Sequence, residues 1–296
     1  MRVVVAGSSG LIGTALCAAL RQHGHTVTRL VRRPAQAADE RQWDPEHPDH
    51  RLIAHAEVVI NLAGAPIGDR RWNATYRALI ADSRIGTASA LATMVTETPR
   101  PPRVLISMSG IRYYGVDRGA EELTEESFPQ DDGFLPQVTV RWEAAARPPA
   151  HTRTRVCHLR TGLVLTPAGG LLPRLIPPFR SGFGATLGPA RAYWSFLTLH
   201  DAVAAILFLA ECPDAEGPYN LSAPTPVRAS EFSWALASRI GKPAALHLPR
   251  WTLRVGMGQM ATEVLGSLRV LPERLEKAGF EFRDPDIQTA LRAVLR

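Results

Sequence analysis

The sequence predicts an α/β fold built on a doubly wound parallel sheet with helices on both faces. Apolar runs of strand length alternate along the chain with segments of helical periodicity, a pattern typical of repeated βαβ units. The first apolar run, residues 3–5, leads directly into a glycine-rich turn that is followed by an amphipathic helix. The chain has 296 residues, 45% of them hydrophobic, enough for one large domain or two small ones.

The glycine-rich turn reads GSSGLIG over residues 7–13. Gly7 permits the tight turn, Gly10 lets a phosphate approach the backbone, and Gly13 lets the helix pack on the strand. Gly24 is placed to end that helix. The amides at the helix N-terminus then point at the pyrophosphate of a dinucleotide, so the turn predicts a Rossmann-type nucleotide-binding unit. The remaining residues predicted to bind the cofactor here are Ser9, Leu11 and Ile12.

Later elements follow the same alternation. Strands are predicted at residues 26–31, 56–62, 104–109, 157–165 and 219–221, and helices at 73–96, 138–146, 201–210 and 287–295. Asp201 is expected to cap the helix that it precedes. Because ligands of parallel sheets bind at the carboxyl ends of the strands, we expect five segments to converge there: 7–13, 32, 61–64, 107–109 and 160–162.

Changes in composition along the chain suggest two regions. Residues 1–165, rejoined by about 195–235, are predicted to form the dinucleotide-binding domain. Glycine and proline crowd residues 169–189, and helical segments follow residue 240. Residues 166–194 and 236–296 are therefore predicted to form a smaller C-terminal α+β region that binds the substrate.

Composition limits the partners. The net charge is +6, but basic residues are spread along the chain among acidic ones, which argues against nucleic-acid binding. No apolar run is long enough to span a membrane, and the first strand leaves no room for a signal peptide. The three cysteines (Cys17, Cys157 and Cys212) are scattered and lack metal-ligand spacing. We therefore expect a cytoplasmic protein without a bound metal.

The end of the second strand predicts which dinucleotide is bound. NAD-specific units carry an acidic residue there, whereas an arginine accommodates the 2′-phosphate of NADP. Here Val31 is followed by Arg32 and Arg33, with no carboxylate before Asp39. These residues favour NADP(H) over NAD; the alternative is a solvated basic turn ahead of Pro34.

Several motifs together resemble the extended short-chain dehydrogenase/reductase superfamily. They are GSSGLIG, VINLAGAP (59–66), SRIGTASAL (83–91), LRTGLVL (159–165) and FLTLHDAVAAILF (196–208). Finer motifs resemble its atypical "epimerase family protein" branch, which has a C-terminal domain of unknown function. These are WDP (43–45), AGAPIGDRRW (63–72), SGIRYYG (109–115), RWEAAA (141–146), PPFRSGFGATLG (177–188) and LPERLEKAGFEFRDPDIQTAL (271–291).

The resemblance implies further cofactor contacts. Asn61, Leu62, Ala63 and Gly64 would line the dinucleotide, and Arg84 would lie near it. For Arg84, an ordinary salt bridge on the helix surface is the alternative. The superfamily also implies a homodimer.

The usual catalytic pair of that superfamily, Tyr-x-x-x-Lys, is absent. The only lysines, Lys242 and Lys277, lie far downstream, and neither has a tyrosine four residues before it. When the helix is aligned on Glu143, Leu135 and Thr139 stand at the tyrosine and lysine positions.

Substitute residues can be nominated. Ser109 lies at the strand end where the superfamily's serine donates a hydrogen bond to substrate, and Tyr114 on the following loop is the candidate proton donor. The alternative for Tyr113 or Tyr114 is a packed aromatic ring with a hydrogen-bonded hydroxyl. Arg141 and Arg191 are candidate substrate-binding residues. For the RWE segment, the alternative is an exposed Arg141 and Glu143 beside a core Trp142.

These observations predict an NADP-dependent oxidoreductase that acts on a small carbonyl or alcohol substrate. A non-catalytic NADP-binding sensor is an alternative, because such a protein would keep the glycine turn and lose the catalytic pair. Nucleotide-sugar epimerisation, implied by the family, is the third hypothesis.

Overall fold

The structure is a computed structural model that describes residues 1–148, 152–242, 246–248, 260–261 and 265–295. Its strands are β1 (Arg2–Ala6), β2 (Thr26–Val31), β3 (Glu40–Gln42), β4 (Val58–Asn61), β5 (Val104–Gly110), β6 (Glu122–Leu123), β7 (Arg155–Thr161), β8 (Leu163–Leu165), β9 (Ala185–Leu187), β10 (Tyr193–Trp194), β11 (Phe196–Thr198), β12 (Gly217–Leu221), β13 (Val227–Arg228), β14 (Leu246–Leu248) and β15 (Arg269–Val270). Its helices are α1 (Leu11–Gln22), α2 (Ala74–Glu97), α3 (Phe134–Ala145), α4 (Leu172–Arg180), α5 (Leu199–Glu211), α6 (Ala229–Ile240), α7 (Glu273–Lys277) and α8 (Ile287–Val294).

Seven of the strands form one sheet in the order β12-β7-β5-β4-β1-β2-β3. Every neighbouring pair in it is parallel. The chain order reverses between β1 and β4, as in a doubly wound sheet. The predicted α/β fold with a Rossmann-type parallel sheet is therefore confirmed.

The two faces of the sheet bury alternate residues of each strand. Val3 and Val5 of β1 pack in one cluster with Leu16 and Leu20 of α1, and α5 packs beside α1 on that face. The intervening residue Val4 packs in a second cluster with residues of α2, such as Leu91 and Met94. This two-residue alternation with both faces apolar explains why the strands read as continuous hydrophobic runs.

Element boundaries largely follow the sequence pattern. The long helix predicted at 73–96 is α2, and Asn73 caps it by accepting a hydrogen bond from the backbone N–H of Tyr76. The helix predicted at 138–146 begins a turn earlier, at Phe134. Gly24 follows the end of α1 with a φ of 76°, as its predicted role in ending the helix requires.

One predicted strand, residues 157–165, is wrong as a single element. It is divided at Gly162 into β7, which belongs to the main sheet, and β8, which pairs with β11. A Cβ on Gly162 would lie 2.6 Å from the carbonyl oxygen of Ser195, so the close passage of that backbone requires glycine here.

A second apolar cluster lies beside the main sheet. It contains residues of α4, α6 and α8 together with Leu165 of β8 and Phe196 of β11. The proposed domain boundaries remain a prediction, and part of the predicted C-terminal region, including residues 249–259, lies outside the described residues. In the described part of the chain, none of the helices has the length and apolar character needed to cross a bilayer.

Candidate cofactor-binding and active site

The carboxyl ends of the parallel strands meet along one edge of the sheet. β1 ends at Ala6 and β4 at Asn61, on either side of the point where the chain order reverses. β5 ends next to β4, at Gly110, and β7 ends at Thr161. Ligands of open α/β sheets bind in the crevice at such a reversal, so this edge is the candidate site.

The glycine turn forms a cradle at this edge. Gly7 has a φ of +78°, and a Cβ on it would lie 2.5 Å from the carbonyl carbon of Leu62. A Cβ on Gly13 would lie 2.2 Å from the carbonyl oxygen of Gly7. Gly10 is the N-cap residue of α1, and no described side chain caps the helix, so its first amides are open to an anion. These features fit the pyrophosphate of a dinucleotide.

The exposure of the turn agrees with that use. Ser9 and Gly10 are exposed, Leu11 and Ile12 are half-buried, and Gly13 is buried. A bound phosphate would therefore contact the exposed backbone of the turn, while Gly13 packs the helix on the strand.

The two arginines after β2 have different surroundings. Arg33 donates hydrogen bonds to both carboxylate oxygens of Glu40, at 2.8 and 2.7 Å, and these bonds lower the pKa of Glu40 to about 2. Arg32 is exposed and lines an open cavity of about 390 Å³ with Gln42, Trp43, Asp44 and Pro45. Within the described ranges no ion pair involves Arg32, so its guanidinium is available to a ligand.

The segment after β4 lies against a buried arginine. Asn61 is fully buried, and its Oδ1 accepts a hydrogen bond from the backbone N–H of Ala63. Arg84 of α2 donates to the carbonyl oxygens of Ile80 and Ala65, and burial lowers its pKa to about 10.

The surface salt bridge considered for Arg84 is wrong. The side chain is 8% exposed and has no carboxylate partner in the part of the chain that the structure describes. Its guanidinium carbon lies 3.2 Å from the position that a Cβ on Gly64 would take and 5.4 Å from the ring of Trp142. Arg84 is therefore a buried cation beside the predicted dinucleotide-binding segment.

Ser109 belongs to a buried hydrogen-bonded network. Its hydroxyl donates to Oε1 of Glu143 at 2.7 Å. Arg160, paired with Ser109 in the register of β5 and β7, donates to both oxygens of Glu143, at 2.9 and 3.0 Å. Burial disfavours the charge of Arg160, but its hydrogen bonds to Glu143 outweigh that cost and raise its pKa.

Tyr114 lies in the same network and is fully buried. Its hydroxyl donates to Oδ1 of Asn220 at 2.7 Å and accepts from Arg160 at 3.0 Å. Burial raises the pKa of Tyr114 to about 12. The half-buried ring of Tyr113 stacks on Arg160, with 3.4 Å between the guanidinium carbon and the ring centroid. The catalytic role of Tyr114 remains a prediction.

Sequence reasoning missed the centre of this network. Arg160 was considered only as part of a strand tip, and Glu143 was considered as an exposed residue, which is wrong because it is 3% exposed. A signal was present: Arg160 is a charged residue inside a segment predicted to form a strand of the central sheet. A buried arginine requires a buried partner, and only the tertiary structure identifies it as Glu143.

The positions of the usual Tyr and Lys are filled by core residues. Leu135 and Thr139 are buried on α3, and the hydroxyl of Thr139 donates to the carbonyl oxygen of Leu135. Neither residue can exchange a proton with a substrate in the way a tyrosine does.

The predicted substrate-binding arginines lie apart from this network. Arg141 is exposed on α3, about 200° around the helix from the buried Glu143. Arg191 is exposed before β10. The structure does not bring either residue to Ser109, so their role remains a prediction.

The expected capping role of Asp201 is wrong. Thr198 caps α5 by accepting from the backbone N–H of Asp201. The Asp201 carboxylate instead accepts from the backbone N–H groups of Arg283 and Asp284, at 3.2 and 2.9 Å. It therefore attaches the C-terminal segment to the start of α5.

Comparison with known proteins identifies relatives along the whole chain. The NAD dependent epimerase/dehydratase family matches residues 3–222, and a domain of unknown function (DUF1731) matches residues 248–294. The "Epimerase family protein Mb2239" of Mycobacterium bovis is 40% identical over 292 residues, covering 98% of this chain and 96% of the relative. The mouse epimerase family protein SDR39U1 is 33% identical and is covered in full, as is this chain.

Solved structures agree with these matches. The crystal structure of human epimerase family protein SDR39U1 with NADPH superposes with a TM-score of 0.90 at 29% identity, covering 99% of both chains. A nucleoside-diphosphate sugar epimerase of Corynebacterium glutamicum superposes at 0.81 with 33% identity, over all of this chain and 58% of that one. The glycine turn, the order of the sheet and the C-terminal match together place the chain in the NAD-dependent epimerase/dehydratase family, as an epimerase family protein of the short-chain dehydrogenase/reductase superfamily.

Proposed function

We propose that this protein is an NADPH-dependent oxidoreductase that acts on a small carbonyl or alcohol substrate. The observation that carries the choice of cofactor is Arg32, an exposed guanidinium without an ion-pair partner among the described residues, at the end of β2. Arg33 is already paired with Glu40, and Arg29 with Asp39. Of Arg29, Arg32 and Arg33, only Arg32 has no ion pair with a described residue, and it lies where the 2′-phosphate of NADP(H) would lie.

Physical chemistry and the comparison both support this choice. A guanidinium makes charge-assisted and often bidentate hydrogen bonds to phosphate, whereas the ribose hydroxyls of NAD offer no charge to it. The human relative of similar fold was crystallised with NADPH. When bound, NADPH would supply the hydride, and the residues of this chain would hold and orient it.

A titration of intrinsic and cofactor fluorescence with NADPH and with NADH tests the proposal. We expect Arg32→Ala to weaken NADPH binding by about 10- to 100-fold, the value of a charged hydrogen-bonded contact, and to leave NADH binding unchanged. Arg33→Ala is the matched control. Because Arg33 faces Glu40, its removal should change NADPH affinity by less than about threefold.

Two results would contradict the proposal. Equal affinity of the wild-type protein for NADPH and NADH would make Arg32 a solvated surface residue. A larger loss of NADPH affinity in Arg33→Ala than in Arg32→Ala would show that Arg33, and not Arg32, binds the 2′-phosphate.

The residues of α3 favour a second candidate, a non-catalytic NADPH-binding sensor. Leu135 and Thr139 replace the usual catalytic pair, and the hydroxyl of Tyr114 is already hydrogen-bonded inside the core. A sensor would bind NADPH with the same dependence on Arg32 but would not oxidise it with any carbonyl compound. NADPH consumption over a panel of aldehydes and ketones distinguishes the two candidates.

A further inference from the structure

The direction of every hydrogen bond around Ser109 is determined by its neighbours. A hydroxyl has one hydrogen to donate, and that of Ser109 points to Oε1 of Glu143 at 2.7 Å. Ser109 and Glu143 are 4% and 3% exposed, so water does not compete for this contact.

Glu143 cannot return a hydrogen to Ser109. Arg160 donates through Nε to Oε1 and through an NH₂ group to Oε2, and the guanidinium is always charged. A carboxylate held in this way by a guanidinium is an acceptor only. The Ser109 hydroxyl must therefore be the donor in this pair.

The rest of the network is arranged so that it holds Arg160 in place. Its remaining NH₂ group donates to the hydroxyl of Tyr114 and to the carbonyl oxygen of Glu125, at 3.0 and 3.3 Å. The hydroxyl of Tyr114 donates its own hydrogen bond to Oδ1 of Asn220. None of these contacts gives Glu143 a hydrogen to donate, so the hydrogen of Ser109 stays on its bond to Glu143.

We propose that Ser109 acts only as a hydrogen-bond acceptor toward a bound ligand, and that the ligand group facing it is a donor. This inference rests on the proposed function, because it concerns the same site. Ser109 is the penultimate residue of β5, next to β4, and the second half of a bound dinucleotide and its substrate would lie over these strand ends. Glu143 and Arg160 are positioning residues that set this polarity.

Two ligand groups carry the required hydrogen. One is the N–H of the carboxamide on the nicotinamide ring, and the other is the hydroxyl of an alcohol substrate. A carbonyl oxygen does not satisfy the requirement, since two acceptors would face each other. For the substrate, the polarity therefore selects the alcohol and not the ketone as the form that Ser109 binds.

The first experiment tests the carboxamide. Calorimetry compares the binding of NADP⁺ with that of its 3-acetylpyridine analogue, in which a methyl group replaces the NH₂, to the wild-type protein and to Ser109→Ala. If the carboxamide donates to Ser109, the analogue should bind about three- to tenfold more weakly to the wild type, and Ser109→Ala should remove that difference.

The second experiment tests the hydroxyl. Binding of cyclohexanol and of cyclohexanone to the complex with NADP⁺ is compared by NMR for the same two proteins. A preference for the alcohol that Ser109→Ala abolishes supports the substrate as the source of the donor. A Ser109-dependent preference for the ketone, or a coupling below about twofold in both experiments, overturns the proposal.

Removing the acceptor provides the sharpest test. Oε1 of Glu143 accepts from both Ser109 and Nε of Arg160, so Glu143→Leu removes the acceptor of the Ser109 hydrogen and frees that hydrogen for the ligand. We expect the preference found above to be reversed or lost in this variant, a change that a merely structural role would not produce. A preference unchanged from wild type contradicts the proposal.

Two further variants protect this test. Glu143→Leu leaves the charge of Arg160 buried without a carboxylate, so Glu143→Leu combined with Arg160→Met, which removes both charges, is measured beside it. Glu121→Leu is the matched control, because Glu121 makes the same two-point contact with Arg118 at the surface. The control should keep the wild-type preference. Arg32-dependent NADPH binding without any coupling at Ser109 would leave the proposed function standing and reject this inference alone.

Discussion

The charge of Arg160 is accommodated in the core because the carboxylate of Glu143 accepts two hydrogen bonds from its guanidinium. Removing one partner of such a pair leaves an uncompensated buried charge, which typically costs about 3–5 kcal/mol. The pair therefore cannot be read as an ordinary stabilising salt bridge. In the proposal above, the pair orients the hydroxyl of Ser109 at the strand end.

His158 is a second buried titratable residue of β7, two positions before Arg160. It is 2% exposed, and its Nδ1 has no hydrogen-bond partner among the described residues. Burial lowers the pKa of His158 from 6.5 to about 4. The neutral imidazole is thus the form that the folded protein holds at pH 7.

This shift predicts a pH dependence of stability. Below pH 6.5 the unfolded chain protonates His158 while the folded protein does not, so stability is lost as the pH falls from 6.5 toward 4. Between pH 7 and 4.5, we expect the free energy of unfolding of the wild type to fall by roughly 2 kcal/mol more than that of His158→Gln.

Urea denaturation at the two pH values measures this difference. His23→Gln, a substitution of an exposed histidine, is the control and should behave like the wild type. An equal loss in the wild type and His158→Gln would show that the histidine is not held neutral by burial.

At the scale of an element, the start of α5 is joined to the C-terminal segment. Thr198 caps the helix and also donates to Oδ2 of Asp284 at 2.9 Å. Asp201, 1% exposed, accepts from two backbone N–H groups of that segment. A buried N–H that loses its acceptor bears the full cost of its desolvation.

We therefore expect Asp201→Ala to lower the free energy of unfolding by about 2–3 kcal/mol, because the buried N–H of Asp284 and the partly buried N–H of Arg283 are left without an acceptor. Asp201→Asn keeps one acceptor oxygen and should lose about half as much. Hydrogen exchange should show faster exchange at residues 283 and 284 in Asp201→Ala.

The matched control is Asp286→Ala, which removes the cap of α8. Its cost should be about 1 kcal/mol, the usual value of a helix cap. If the two alanine variants lose equal stability, Asp201 contributes no more than an ordinary helix cap and does not hold the C-terminal segment.

At the scale of the whole molecule, two apolar clusters are connected by the β8–β11 pair. Adjacent residues of β11 point to opposite faces, so Leu197 packs in the cluster of the main sheet and Phe196 in the cluster of α4, α6 and α8. Val164 and Leu165 of β8 divide in the same way. A strand pair shared by both clusters should make them unfold together.

Leu197→Ala and Phe196→Ala test this expectation in calorimetry. Both residues are fully buried, and each substitution should cost about 2–5 kcal/mol through the cavity that it leaves. Each should lower the temperature of one common transition. Leu79→Ala, at a half-exposed position of α2, should leave that temperature almost unchanged. A second transition that moves only in Phe196→Ala would show that the clusters unfold independently.

The sequence by itself determined the features that depend on local geometry and periodicity. The glycine turn, the extent of α2 and the apolar strands of the sheet follow from backbone freedom and hydrophobic pattern, which depend on residues close together in the chain. The arginines after β2 belong to this group, because their position follows directly from the end of a strand.

Only the tertiary structure decided which distant groups meet. Gly162 divides the strand predicted at residues 157–165 because the backbone of Ser195 passes against it. Asp201 accepts hydrogen bonds from the backbone of residues 283 and 284 and does not cap its own helix. Glu143 reaches Arg160 and Ser109 from another element, and this contact determines the direction of the Ser109 hydrogen bond. Such pairings are long-range, and a buried polar group takes its partner from whichever element packs beside it, which no local pattern records.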